Sequence, residues 1–349
     1  MVKKHAPPRS APTLSDVAQE AGVSTATVSR CLNSPERVVE STRQRVMAAV
    51  ERLEYTPNFA ARAMVAKRSY TIGAIIPTME NAIFARGLQA FQDALSDQGY
   101  TLLVSSSAYR PELEAAQIRT LVARGADGLL LIGHDRDEGI YDYLAQHRVP
   151  ALVAWSYAPD ARSPSVGFDN RSAMAELAQH VLDLGHRRIA MISGFAAGND
   201  RARSRVLGAR DAFIANGLDP EALRVVETSY DFEKGARAFE EIVTQQPDVT
   251  AVICGNDVLA AGALQEARRL GIAIPEQISV TGFDDIELAA VVSPALTTVH
   301  VPHREMGRQA AHALIAMVAA ASQQAALPDV SQCISTKVVS RASLSPPPG

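Results

Sequence analysis

The sequence predicts an all-α three-helix head followed by an α/β body made of two doubly wound parallel-sheet lobes. Three observations carry that expectation. Over residues 13–57 apolar side chains recur at helical spacing, and from Tyr70 onward short apolar runs alternate with amphipathic stretches. The charge divides at the same place: residues 1–69 hold eleven Lys and Arg against six Asp and Glu, and the remainder holds 23 against 32. A basic head on an acidic body suits a polyanion-binding module joined to a part that does not bind nucleic acid.

The head opens with Leu14-Ser15-Asp16-Val17-Ala18-Gln19-Glu20-Ala21, a short helix whose first amides Thr13 or Ser15 can satisfy. Gly22 then permits a backbone turn that a side chain would resist. Ser24 can cap a second helix, Thr25 to Leu32, with Val28 and Leu32 on one face, and Asn33, Ser34 and Pro35 stop it. A third helix is expected from a Ser41 cap through Val46, Ala49, Val50 and Leu53. Three short helices with a tight glycine turn between the first two form a helix-turn-helix pattern.

In the body, Thr71–Ile76, Leu102–Val104, Gly128–Ile132 and Ala151–Val153 read as strands, separated by helices such as Phe84–Leu95 and Glu112–Val122. A second series follows with Ile189–Ile192, Ala251–Cys254 and Ile278–Phe283, and a last strand near Lys337 to Val339. Near-continuous apolar strands alternating with helices indicate parallel sheets covered on both faces, and two series imply two lobes. Ligands in such folds bind beyond the carboxyl ends of the strands, here in the cleft between the lobes.

Composition narrows the function classes. With 47% hydrophobic and 21% charged residues the 349-residue chain reads as a globular protein of two or three domains. No apolar run approaches the roughly 20 residues of a membrane span, and no apolar segment follows the basic residues of Met1 to Pro8, so a cytoplasmic location is expected. Cys31, Cys254 and Cys333 match no metal or redox spacing and read as small buried apolar side chains. The phosphate-loop, dinucleotide-binding and nucleophile-elbow motifs are missing, and His300 and His303 straddle Pro302, a poor metal pair. Neither catalysis nor a cofactor is expected.

The segments Thr13-Leu14-Ser15-Asp16-Val17-Ala18, Ala21-Gly22-Val23-Ser24, Thr27-Val28-Ser29-Arg30 and Leu53-Glu54-Tyr55-Thr56-Pro57-Asn58 resemble the N-terminus of the lactose/galactose-repressor (LacI-type) family of transcriptional regulators. The resemblance extends along almost the whole chain and implies a periplasmic-binding-protein-like body. It makes Thr25–Leu32 a recognition helix in the major groove of operator DNA, with Thr25, Ala26, Ser29 and Arg30 facing base edges. Arg30 can donate two hydrogen bonds to guanine or contact a phosphate, and Ala26 can touch a thymine methyl. Ser24, Asn33 and Thr42 are expected at the DNA backbone. The resemblance also makes Asn58–Val65 a hinge helix capped by Asn58 that wedges the minor groove, with Met64 where leucine is usual. A homodimer on a pseudo-palindrome is implied. No leucine heptads follow the last strand, so the tetramerising tail of the lactose repressor is not expected.

The same resemblance gives the domain plan and the effector site. A tail (1–12), the head (13–57) and a hinge with linker (58–69) precede the body, 70–341. One lobe takes about 70–168 and 300–328, the other about 169–299 and 329–341, and a Pro-rich tail follows over 342–349. Matching positions place Phe84, Arg205, Tyr230 and Asp257 around a small effector. Where sugar-binding relatives often carry an acid, this chain has Trp155, its only tryptophan, which removes an acceptor for sugar hydroxyls. Arg201 and Arg203 precede Arg205, a guanidinium cluster suited to a carboxylate or phosphate or else lying on a solvated face. Ile76-Pro77-Thr78, Asn81, Phe84-Ala85, Gly99-Tyr100, Tyr109-Arg110-Pro111-Glu112 and Val166-Gly167-Phe168-Asp169-Asn170 resemble the gluconate-repressor branch, which makes a sugar acid the expected effector. A neutral sugar or a protein corepressor is the alternative.

Overall fold

The computed structural model describes residues 12–33, 35–56 and 68–348 and divides into two compact units, 1–69 and 70–349. In the first unit, α1 spans Leu14–Ala21, α2 Thr25–Asn33 and α3 Glu40–Arg52. Thr13 caps α1 in a reciprocal box: Asp16 donates its backbone N–H to the Thr13 hydroxyl, and Thr13 donates its own to the Asp16 carboxylate at 2.7 Å. Those bonds hold the Asp16 carboxyl below the usual range. Gly22 closes α1 at φ 64°, a left-handed conformation that a side chain would strain. The Ser24 hydroxyl accepts the Thr27 N–H at 3.1 Å and so caps α2. The third helix departs from expectation. It starts at Glu40 after Val39, with no side-chain cap, so Ser41 lies inside its first turn. Val17, Ala18, Ala21, Val28, Cys31, Val46 and Ala49 form the core joining all three helices.

The second unit opens with β1 (Thr71–Ile76), α4 (Ala82–Ser96), β2 (Thr101–Ser106), α5 (Pro111–Ala123), β3 (Gly128–Ile132), α6 (Glu138–His147), β4 (Ala151–Ala154) and β5 (Ser165–Gly167). The chain then crosses to the other lobe with α7 (Asn170–Asp183), β6 (Ile189–Gly194), α8 (Asp200–Ala215), β7 (Arg224–Thr228), α9 (Phe232–Gln245), β8 (Ala251–Cys254), α10 (Asp257–Leu270), β9 (Ser279–Thr281) and α11 (Glu287–Val291). It closes with β10 (Thr298–His300), α12 (His303–Ser322), β11 (Gln332–Cys333) and β12 (Lys337–Val339). The first sheet is parallel throughout in the order β11-β5-β4-β3-β1-β2, and the second is parallel in the order β7-β6-β8-β9.

Alternation along each strand loads both faces, as a parallel sheet requires. Ile72, Ala74 and Ile76 pack toward α4 and α12, while Ile75 with Leu129 and Leu131 packs toward α5 and α6. In the second lobe Met191 and Ile253 join α7 and α8, whereas Ile192 and Val252 join α9 and α10.

Three expectations need correction. Gln332–Cys333 pairs with β5 in the first lobe's sheet, so the chain's last return to the second lobe comes after residue 333 and not at 328–329. The segment set apart as a Pro-rich tail is docked on the second lobe. Ser343 is fully buried, donating to the Val280 carbonyl and accepting from Thr297 N–H at 2.9 Å, and His186 bridges Thr250 and the Ser345 carbonyl. Cys31 and Cys254 are buried as expected, but Cys333 is exposed because two-residue β11 lies at a sheet edge. No helix among the described residues is long and apolar enough to cross a membrane.

Candidate functional site

Two surfaces carry candidate chemistry, one on each unit. On the head, burial of Val28 and Cys31 turns the opposite face of α2 outward. Thr25, Ala26 and Arg30 are exposed there, and Ser29 is half-buried beside them. Arg30 makes no ion pair among the described residues, while the neighbouring Arg43 and Arg52 are held by Glu40 and Glu20. The helix thus offers an unspent guanidinium and small side chains, the composition that can approach base edges closely. Ser24 is exposed but its hydroxyl serves the helix cap, and Thr42 is half-buried at the start of α3. The Asn33 side chain, Asn58 and Met64, with the expected hinge helix, lie outside the described residues.

On the body, the segments that follow the carboxyl ends of β1, β2, β4, β6, β7, β8 and β9 converge on a cleft between the lobes. It is lined by Asn81, Phe84, Tyr109, Trp155, Asn199, Arg201, Arg205, Tyr230, Asn256 and Asp284. Closed as it is, it has room for about 20 Å³, one or two waters. A larger cavity of about 470 Å³ lies elsewhere, between the ends of α6 and α12, and holds no cluster of polar groups.

Arg205 organises the cleft. Buried to 4% exposure, it donates to Asn170 Oδ1 at 2.9 Å and to the Gly255 carbonyl at 2.6 Å, and lies 3.8 Å from the Phe283 ring centre. Its remaining nitrogen is 3.5 Å from Asp284. Burial pushes the Asp284 carboxyl up to about 6 against the pull of Arg205. Tyr109 and Tyr230 face each other at 6.3 Å across the cavity, and burial raises both phenols. Asn81, Asn199 and Asn256 each cap a helix, α4, α8 and α10, so three helix N-termini meet at the cavity wall.

Of the effector residues expected from sequence, Phe84, Trp155, Arg205 and Tyr230 line this cavity, and two others do not. Asp257 is turned inward. One carboxylate oxygen accepts from the Thr298 hydroxyl at 2.6 Å and the other from the Ile286 N–H at 2.8 Å, which leaves it a brace for the loop after β9. Burial and nearby Asp284 push its carboxyl up to about 8. Arg203 sits at the rim, where both terminal nitrogens bind Asp135 of the opposite lobe at 2.7 Å. Arg201, named with it in the cluster, lines the cavity instead, paired with Asp200 at 2.7 Å.

Sequence reasoning passed over Asp284, Asn199, Asn256 and Tyr109. Strand-end Asn and Asp residues followed by helices were the available signal, since that position both caps a helix and faces a cleft. The loop after β3 bridges the two lobes. Buried Arg136 fixes it by binding the Gly133 carbonyl and Glu114, after which His134 donates its N–H to Asp200 at 2.8 Å across the cleft. Gly133, at φ 70°, leaves room for Arg201 and Asp200 that a Cβ would occupy.

A basic helix-turn-helix joined to a two-lobed body with a polar interlobe cleft defines a DNA-binding regulator of ligand-responsive architecture. The chain belongs to the LacI family of bacterial regulatory proteins and is a sequence-specific DNA-binding repressor of that family, not an enzyme. Residues 13–58 match the model "Bacterial regulatory proteins, lacI family", and 178–344 match the model "Periplasmic binding protein-like domain". It is 33% identical over 304 residues to the HTH-type transcriptional repressor PurR of Vibrio cholerae, covering 87% of this chain and 90% of that one. The lac repressor dimer bound to operator and the anti-inducer ONPF superposes with a TM-score of 0.83 at 26% identity, covering 96% and 99%. The transcription regulator GntR from Chromobacterium violaceum gives 0.71 at 30% identity, covering 78% and 99%.

Proposed function

We propose that the chain binds a pseudo-palindromic operator as a homodimer and that a sugar acid of the gluconate type, held between the lobes, sets its operator affinity. One observation carries the effector class: three helix N-termini and the buried guanidinium groups of Arg201 and Arg205 meet at one cavity. Helix N-termini favour anions, and a guanidinium can grip a carboxylate through paired hydrogen bonds. Asp284, Asn199, Asn256, Tyr109 and Tyr230 supply partners for hydroxyl groups, with Phe84 and Trp155 as apolar walls. The likeness to the GntR structure supports the same branch.

On the DNA side, Arg30 reads a base edge, with Thr25, Ala26 and Ser29 beside it, while Ser24, Asn33 and Thr42 meet the backbone. Asn58 and Met64 act in the hinge helix, Met64 as the wedge. Action on operator DNA makes the working compartment cytoplasmic. An effector changes operator affinity only by the difference in its affinity for the two lobe arrangements. Repression relieved by ligand is the sense proposed here. Calorimetric titration with D-gluconate, 6-phosphogluconate and D-glucose tests the effector class, and the proposal requires one of the acids to bind and glucose to bind at least tenfold more weakly. Selection of sites from random duplex DNA tests the dimer, which requires an enriched inverted repeat. A single half-site would contradict it.

A further inference from the structure

Trp155 and His303 stand out beside the cleft because three of their polar atoms are buried without a partner. The indole N–H has no hydrogen-bond partner, and neither ring nitrogen of His303 has one at full hydrogen-bond geometry, only a weak approach to the Asp284 backbone, although the two residues are only 1% and 3% exposed. Buried polar groups are overwhelmingly paired, so three orphans in one contact are an anomaly that asks for a missing partner. Trp155 also sits at φ 62°, a left-handed conformation unusual for a bulky residue, at the carboxyl end of β4. Its backbone is pinned there by Asn170, which donates to the Trp155 carbonyl at 3.0 Å and accepts from Arg205.

The two rings are stacked at 25° with centres 6.4 Å apart, and Phe84 meets the indole edge-on at 5.4 Å. His303 Nε2 lies 4.0 Å from Asp284 Oδ1, too far for a direct hydrogen bond. Asn170, Arg205, Asp284, His303 and Trp155 therefore form a circuit that is closed by hydrogen bonds on one side and open on the other. Trp155 and Asp284 both line the effector cavity, so the open side adjoins the ligand.

Resting on the effector reading above, we infer that Trp155 and His303 are a specificity element, seating one oxygen of the ligand that accepts from the indole N–H and pairs with the imidazole. Indole can only donate, and a neutral imidazole offers one donor and one acceptor. The seat therefore selects an oxygen with free lone pairs, a carboxylate, keto or hydroxyl oxygen, over an apolar or N–H group. A site with unmet donors discriminates strongly against a ligand that cannot fill them.

The test uses the full chain and four variants, Trp155→Phe, His303→Phe, His303→Gln and Tyr143→Phe as a remote control, each first checked for operator binding without ligand. D-Gluconate and D-glucose are titrated calorimetrically, and indole emission is followed in every protein that keeps Trp155. The expected result is a change of emission on gluconate binding, a loss of gluconate affinity of about tenfold in Trp155→Phe and His303→Phe, and recovery to within about threefold in His303→Gln. Gluconate binding at wild-type strength in folded Trp155→Phe and His303→Phe would overturn this inference and leave the sugar-acid reading standing. If the unaltered protein binds glucose alone, or none of gluconate, 6-phosphogluconate and glucose, both are overturned.

Discussion

The head and the body present their candidate chemistry in opposite ways. On the head every residue proposed to face bases comes from one nine-residue helix, and what exposes that face is the burial of Val28 and Cys31 on the same helix. In the body the groups around a single guanidinium come from 35, 50 and 79 residues away along the chain, as Asn170, Gly255 and Asp284 converge on Arg205. A local surface follows from helical periodicity, whereas a convergent one follows from sheet order and lobe closure. The consequences of substitution differ accordingly: changes on α2 should act alone, and changes in the cleft should act through closure.

Gly133→Ala should have the largest effect. A Cβ there meets Arg201 and Asp200 and puts a side chain at φ 70°, so closure should lose about 2–3 kcal/mol and effector affinity fall at least thirtyfold. Operator binding without ligand should be unaffected, and an unaltered effector titration would break the claim that closure makes the site. Arg30→Ala should come next, removing about 1–3 kcal/mol of discrimination at one base pair while leaving effector binding intact. If competition with random DNA showed the same preference and uniformly weaker binding, Arg30 would be a phosphate contact.

Stability against pH probes the buried carboxyls. Asp257 and Asp284 bind protons in the folded protein up to about 8 and about 6, whereas in the unfolded chain they lose them near their ordinary value of about 4. Their ionisation therefore opposes folding, and stability should fall as pH rises. Burial lowers His134, His186 and His303, so these stay neutral in the folded protein between pH 7 and 8, where the raised Asp257 gives the slope its sign. Denaturant unfolding should show a decline on the order of 1 kcal/mol per pH unit, flattened in Asp257→Asn. A rise in stability over that interval would contradict the assignment. The smallest effect belongs to Arg203→Ala. Its pair with Asp135 is half-exposed and screened by solvent, so effector affinity should change less than about fivefold and the change should vanish at high salt. A loss of tenfold or more would mean that Arg203 grips the ligand itself.

The same contrast explains what could be read from the sequence. The helices of the head, the two parallel sheets and most strands were legible because periodicity and apolar runs are local properties. Within the head, the one miss was the start of α3, where Ser41 looked like a cap although the helix begins uncapped at Glu40. In the cleft, Arg205 and Tyr230 were legible through their place in the family pattern, but Asp257 was chosen over Asp284. Both are acids at strand ends, and only the three-dimensional arrangement shows that Thr298 and Ile286 occupy the first while the second stays open to the cavity. Likewise nothing local marked Arg203 as a partner of Asp135, 68 residues earlier. The docking of Ser343 and Ser345 was hidden behind a composition that reads as a tail.

The operator isotherm of the full chain, measured with and without saturating D-gluconate, tests most directly the claim that the cleft controls the head. The account predicts a weakening of at least tenfold, absent in Gly133→Ala. An isotherm that gluconate leaves unchanged, with calorimetry showing the cleft occupied, would contradict it.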